Sequence, residues 1–225
     1  YLGAELGLGV AARQMLRALE SAGVPTSTVT YDRTSSQQSA TSDGSTDRPY
    51  HFNLLLIVPD QLPLFVADVG VEFFQGHHNI GLWYWESDVM KENQLAAFDH
   101  VDEVWAATSY LHDAFASARR VPVSVVPSPL VFEPPSDVSS ARRRLGLDDR
   151  FTFLFSFDFL SVVERKNPLG LLAAYRRAFG RDDGTRLILK SINGDVFPRD
   201  KERIAAAVAD HDDVELWDRM LPAED

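Results

Sequence analysis

The chain has 225 residues, enough for one large domain or two small ones. Hydrophobic residues make up 45% and charged residues 24%, an ordinary globular composition, and no apolar run approaches the length of a membrane span. A net charge of −11 argues against a nucleic-acid backbone or an anionic membrane surface as the main partner, and the absence of cysteine removes disulfides, thiolate metal sites and cysteine nucleophiles while leaving the compartment open.

Residues 1–23 read as a glycine-rich turn running into a helix. Gly7, Gly9 and Ala12 fit G-x-G-x-x-A, while Val10, Met15, Leu16 and Leu19 form an apolar stripe and Gly23 is a C-cap candidate. The dinucleotide fingerprint needs a strand before such a turn, expected here upstream of Tyr1, and an acidic residue about 20 positions later, near Asp32. The plainer reading is a tight turn in which small residues let helix and sheet approach. Thr26–Tyr31 is β-branched and predicts a strand. Residues 34–48 are polar and of low complexity, and predict a surface loop without core.

Phe52–Val58 is a continuous apolar run, as in a strand covered on both faces of a parallel sheet. A helix is predicted over 63–74 and a strand over Asn79–Glu86, NIGLWYWE. Trp83 and Trp85 are expected in the core. Glu86 is a carboxylate closing an apolar strand, and such a group needs a partner if buried. A helix at 91–98, a strand at Glu103–Ala107, a helix capped by Ser109 and a strand at Val121–Val126 follow. Residues 127–136 hold four prolines and predict a stiff linker.

Beyond it, Ser139–Leu145 reads as a short helix whose three arginines form a solvated face. Phe151–Phe157 predicts a buried strand, Asp158–Lys166 a loop, and Asn167-Pro168 the start of a helix carrying Leu171, Leu172, Tyr175 and Phe179 on one face. Arg165 and Lys166 then stand at the positive end of that helix, where the macrodipole disfavours cations unless an anion sits among them. Strand, loop and helix N-terminus with two cations together make a phosphate-site candidate; the plain alternative is a solvated basic pair. Thr185–Lys190 predicts a strand, followed by a loop containing Asn193 and Gly194, a helix at 199–211 and a strand at Val214–Trp217. The alternation predicts an α/β fold of doubly wound parallel sheets. The Asp-x-Asp at 210–212 and the pair His77-His78 read as solvated surface groups, and neither a G-x-S-x-G elbow nor a P-loop occurs.

The order of the glycine loop (Gly7-Leu8-Gly9), WYWE (Trp83–Glu86), VDEVWAATSYLHDAF (Val101–Phe115), VPVSVVPSPLVFEP (Val121–Pro134) and ERKNP (Glu164–Pro168) resembles the GT-B nucleotide-sugar glycosyltransferases, family 4 in particular. The resemblance implies two Rossmann-like domains, 1–132 on the acceptor side with its first strand missing, and a partial donor-side domain, 133–225. It implies a cytoplasmic, retaining, metal-independent sugar transferase without a cofactor, acting on a nucleotide-sugar donor and a glycan or lipid-linked acceptor. Nucleic acid is not among the implied partners, and peripheral membrane association is left open. Lys166 matches the family's lysine on the donor diphosphate, with Arg165 and Asn167 beside it. Gly7 and Gly9 match the phosphate and acceptor loop, and Asn193 and Gly194 are candidates for the nucleotide. The family arginine is replaced by Ser156-Phe157-Asp158. The strand that usually carries a histidine near the sugar ends here in Trp85-Glu86, so Glu86 is the candidate catalytic residue. The family's E-x7-E segment would fall beyond Asp225, so the chain is expected to be inactive alone. A sugar-nucleotide epimerase of the same build, a non-catalytic nucleotide-sugar binding protein and a nicotinamide oxidoreductase are the alternatives.

Overall fold

The computed structural model describes residues 1–31, 33, 34, 36, 49–131 and 137–221. Most of the polar stretch 34–48, and residues 132–136 of the proline-rich stretch, lie outside the described residues. The chain divides into two compact units, Tyr1–Glu133 and Pro134–Asp225. Each is an α/β layer structure around a wholly parallel sheet. Among the described residues no helix is long and apolar enough to cross a membrane.

In the first unit, β1 (Phe52–Leu55), β2 (His78–Trp83), β3 (Glu103–Ala106) and β4 (Val123–Val125) lie in sequential order. Side chains alternate across a strand, so one face presents Leu55, Trp83, Val104 and Ala106. Against it pack α2 (Leu62–Val69) through Leu62 and Phe65, the 3-10 turn Ala96–His100 after α3 (Glu92–Leu95) through Phe98, and α4 (Ser109–Ala116) through Phe115. Trp83 is fully buried, edge-on to Phe98 and Phe115 with ring centroids 5.0 and 5.7 Å away. Burial of a ring of this size contributes at least about 2–3 kcal/mol. Gly81 makes room for it: a β-carbon there would meet the indole Nε1 at 2.6 Å. The opposite face carries Leu54, Ile80 and Trp105, with α1 (Gly7–Ser21) over it through Ala12, Met15 and Leu16.

In the second unit, β5 (Phe151–Asp158), β6 (Thr185–Ile192) and β7 (Val214–Asp218) form the sheet in that order, after the short α5 (Val138–Arg144). Phe157, Leu187, Leu189 and Val214 face a core shared with Leu172 and Tyr175 of α7 (Pro168–Ala178) and Ile204 of α8 (Pro198–Val208).

Several expected elements change. Among the described residues, Thr26–Tyr31 forms no β-ladder. The run from Phe52 stops pairing at Leu55, before Pro59 is reached. The helix expected over 63–74 breaks at Gly70, whose φ of 81° no α-helix accommodates, and resumes as a 3-10 turn, Val71–Phe73. The cap of α4 is Thr108, whose hydroxyl accepts the Leu111 amide, and not Ser109. Arg142, expected on a solvated face, reaches the carbonyls of Asp148 and Arg150 and fastens the entry to β5.

Candidate functional site

β5 ends at Asp158, β6 at Ile192 and β7 at Asp218, so three parallel strands deliver polar residues to one carboxyl edge, where open α/β sheets hold ligands. Asp158 Oδ1 accepts the Leu160 amide at 2.9 Å and Asn193 Nδ2 at 2.8 Å, tying the loops after β5 and β6 together. Asn193 is left-handed, with φ 65°, a conformation that Asn tolerates better than most residues. Its amide group is therefore engaged in holding the loop.

Asp218 forms a second knot. Its carboxylate accepts Ser191 Oγ at 3.1 Å and the Gly194 amide at 3.3 Å, and pairs with Lys201 Nζ at 2.7 Å. Lys201 also reaches Asp195 at 2.8 Å. Burial pushes the Asp218 carboxyl up, but the hydrogen bonds from Lys201, Ser191 and Gly194 outweigh it and hold it below the usual carboxylate range. The two hydrogen bonds that Lys201 donates to Asp195 and Asp218 in turn raise its ammonium. Gly194 is obligatory: a β-carbon there would lie 2.2 Å from Asp218 Oδ2. The turn amide that could have met a phosphate is thus already given to a carboxylate of the protein. Asp218 and Lys201 escaped the sequence reading, although a carboxylate closing an apolar strand, the feature that singled out Glu86, also marks Asp218.

Half-buried Lys190 lies beside this knot and donates to the Ser191 carbonyl at 3.0 Å. Burial lowers its ammonium, Asp218 and Asp158 pull the other way, Arg219 pushes the same way, and the net direction is down.

The basic pair is arranged differently from its expectation. Val163–Lys166 is a separate one-turn helix, α6, and Arg165 and Lys166 occupy its last turn, where cations are favoured, not the first turn of α7. Asn167 causes the break. It is left-handed at φ 53° and ψ 49°, closes α6, and caps α7 by accepting the Gly170 amide at 3.1 Å. Pro168 reinforces this, since a residue before proline is kept out of the right-handed helical region. The dipole strain argued for the pair is therefore absent. The position survives: both cations lie in the β5–α7 connection at the carboxyl edge. Lys166 is half-buried and has no ion pair among the described residues.

In the first unit, Gly7 and Gly9 lie inside the first turn of α1, not in a loop before it. Gly9 is buried, and a β-carbon on it would sit 2.0 Å from the Ala4 carbonyl oxygen and 2.9 Å from that of Tyr1. Its smallness lets the preceding turn fold onto the helix. Gly7 has open space around it. Glu86 stands exposed, three residues beyond β2. Before it, Tyr84 hydrogen-bonds Ser128 at 2.8 Å and Trp85 packs on the core.

No family model and no curated protein matches this chain. Among the described residues no group of three or more histidine or carboxylate side chains is gathered to hold a metal ion. At the second unit's carboxyl edge, the arrangement offers an uncommitted cation, Lys166, within a scaffold whose other charges are largely paired. That is chemistry suited to receiving an anion.

Proposed function

We propose that the chain is part of a nucleotide-sugar glycosyltransferase of the GT-B type, with the donor diphosphate held by Lys166 in the second unit. The observation that carries this reading is Lys166 itself. It is a half-buried lysine, without an ion pair among the described residues, in the connection that follows a parallel strand at its carboxyl end. Its ammonium would meet negative charge as it grows on the leaving diphosphate, the electrostatic contribution that group transfer from such donors needs most. Arg165 precedes it, and Asn167 starts α7 close to the same point. Asn193 and Gly194 shape the neighbouring loop through their internal hydrogen bonds and are assigned to support of the site. Glu86, exposed at the carboxyl edge of the first sheet, is assigned to a sugar hydroxyl. The parallel α/β build of both units and the ERKNP and WYWE segments support the same reading.

The test is calorimetry of uridine and guanosine diphosphate against the parent and Lys166→Ala. A charge-assisted hydrogen bond to phosphate contributes about 1.5–3 kcal/mol, so affinity should fall by roughly 10–150-fold. Stability should stay within a few tenths of a kcal/mol of the parent, the scale of dipole terms at exposed helix ends. Equal affinities in parent and variant would remove Lys166 from the site and the transferase reading with it.

A further inference from the structure

Lys190 lies near the carboxyl end of β6. Leu187 and Leu189 face the core under α7 and α8, so alternation sends Lys190 to the other face of the sheet. Its register neighbours are Ser156 on β5, which is exposed, and Trp217 on β7. Its ammonium reaches the Ser191 carbonyl, which also accepts the Arg219 amide at 3.1 Å. The Arg219 guanidinium lies over the Trp217 indole. One stretch of rim, where β6 and β7 leave the sheet, therefore holds two cations beside one indole.

Neither cation has an ion pair among the described residues. The acids whose charge is felt at Lys190 are Asp218 and Asp158. Both are engaged elsewhere, Asp218 by Lys201, Ser191 and Gly194, and Asp158 by Leu160 and Asn193. The chain has 33 acidic side chains against 22 basic ones, so the lack of a partner does not reflect a shortage of carboxylates. Burial and the charge of Arg219 both push the Lys190 ammonium down, so keeping the two cations together costs free energy. A lysine on a plain surface avoids that cost by extending its head into water. Here the head is kept half-buried on a backbone carbonyl. An anion held by both groups removes the repulsion and supplies the missing charge-assisted bonds. A carboxylate brings one charge into the fields of Asp158 and Asp218. A phosphate monoester brings close to two, and its three oxygens suit a guanidinium fork and an ammonium together.

We infer that Lys190 and Arg219 form a binding site for a phosphate monoester group at the β6–β7 rim, beside Trp217. Lys166 follows β5, and β5 is two strand spacings, about 10 Å, from β7. The site uses none of the residues assigned to the diphosphate and stands or falls without that reading.

The probes are inorganic phosphate and a glycerol phosphate, titrated at fixed ionic strength. Binding is followed in proton–nitrogen correlation spectra through Arg219 Nε–H and Trp217 Nε1–H. Both probes should give saturable shifts at these groups. Affinity should fall at least about tenfold in Lys190→Met and in Arg219→Gln, each of which removes a charge-assisted bond. Lys190→Arg keeps the charge and should retain most of the affinity, and Lys166→Ala should leave the shifts unchanged. Thermal unfolding of Lys190→Met should match or exceed that of the parent, because a half-buried ammonium gives way to a thioether. The inference is overturned if the shifts do not saturate, if acetate produces them equally, or if the glycerol phosphate is excluded. It is equally overturned if Lys190→Met binds as the parent does, or if Lys166→Ala abolishes the shifts. Should Lys190→Met fail to fold, the exposed Arg219→Gln decides, and parent-like affinity there overturns the inference.

Discussion

Gly194 and Asp218 make a prediction that can be worked through in numbers. A methyl group at position 194 would lie 2.2 Å from Asp218 Oδ2 and 2.8 Å from its Cγ, so the carboxylate must swing away. It would then release Ser191 Oγ, whose residue is fully buried, and the amide of residue 194. Each hydrogen bond to a charged acceptor contributes about 1.5–3 kcal/mol, and orphaned buried donors cost a similar amount. Gly194→Ala should therefore cost about 3 kcal/mol, and Asp218→Ala, which removes the same acceptor directly, about 3 kcal/mol as well. The double variant has no carboxylate left to collide with, so its cost should be about 4 kcal/mol and not 6, a coupling near 2 kcal/mol. Native-state hydrogen exchange of β6 and β7 amides reads the second unit separately from the first. If Gly194→Ala lies within about 0.5 kcal/mol of the parent, or the two costs simply add, the carboxylate is not what makes glycine obligatory.

Four further outcomes are expected. Gly9→Ala should destabilise the first unit by about 3 kcal/mol or more, because two backbone carbonyls block its β-carbon, whereas Gly7→Ala should be neutral or stabilising by up to about 1 kcal/mol; thermal melts by circular dichroism compare them. Asn167→Ala should cost about 2 kcal/mol from lost capping plus left-handed strain, and Asn167→Gly clearly less, an order that urea titration checks; equal costs for the two would refute the left-handed strain. The Asp218 carboxyl is depressed in the fold, so its stabilisation is present above its ordinary value of 3.8 and is lost as pH falls through the folded value; the stability gap between parent and Asp218→Asn should therefore close below about pH 4 in acid unfolding curves. In a full-length enzyme, Glu86→Gln should lower turnover with unfolding temperature nearly unchanged, since the side chain is exposed; a collapse of stability alone would make Glu86 structural.

Much of the fold was legible because parallel strands buried on both faces write themselves as apolar runs. β6 falls close to its expected place for that reason, whereas β5, expected as a buried strand, lies at the end of the described sheet with Phe151 and Leu154 exposed. Thr26–Tyr31 misled because β-branched residues report compatibility with a pleated surface, not the presence of a partner strand. α6 was invisible because one turn is too short to show a period, and the left-handed state of Asn167 cannot be told from ordinary capping by residue type. In the candidate site, Lys166 was singled out through its neighbours in sequence. The Asp218 knot was missed because its donors, Ser191, Gly194 and Lys201, lie 17–27 residues away and meet it only through strand pairing. Gly9 showed itself as a small residue, but whether a ligand or the Ala4 carbonyl demanded that smallness needed coordinates.

The four tryptophans, at 83, 85, 105 and 217, are unevenly shared between the units, and this gives the molecule a built-in optical label. Trp217 is the sole indole of the second unit and sits next to Asp218, with the Arg219 guanidinium 4.9 Å above its ring. Trp83 is sealed in the first unit's core. Iodide, an anion drawn towards Arg219, should therefore quench emission from Trp217 while leaving that of Trp83 dark to the quencher. Trp85 and Trp105 are also partly exposed, so the part of the quenching that Trp217→Phe removes is what reports anion traffic at one end of the second sheet, without any attached dye.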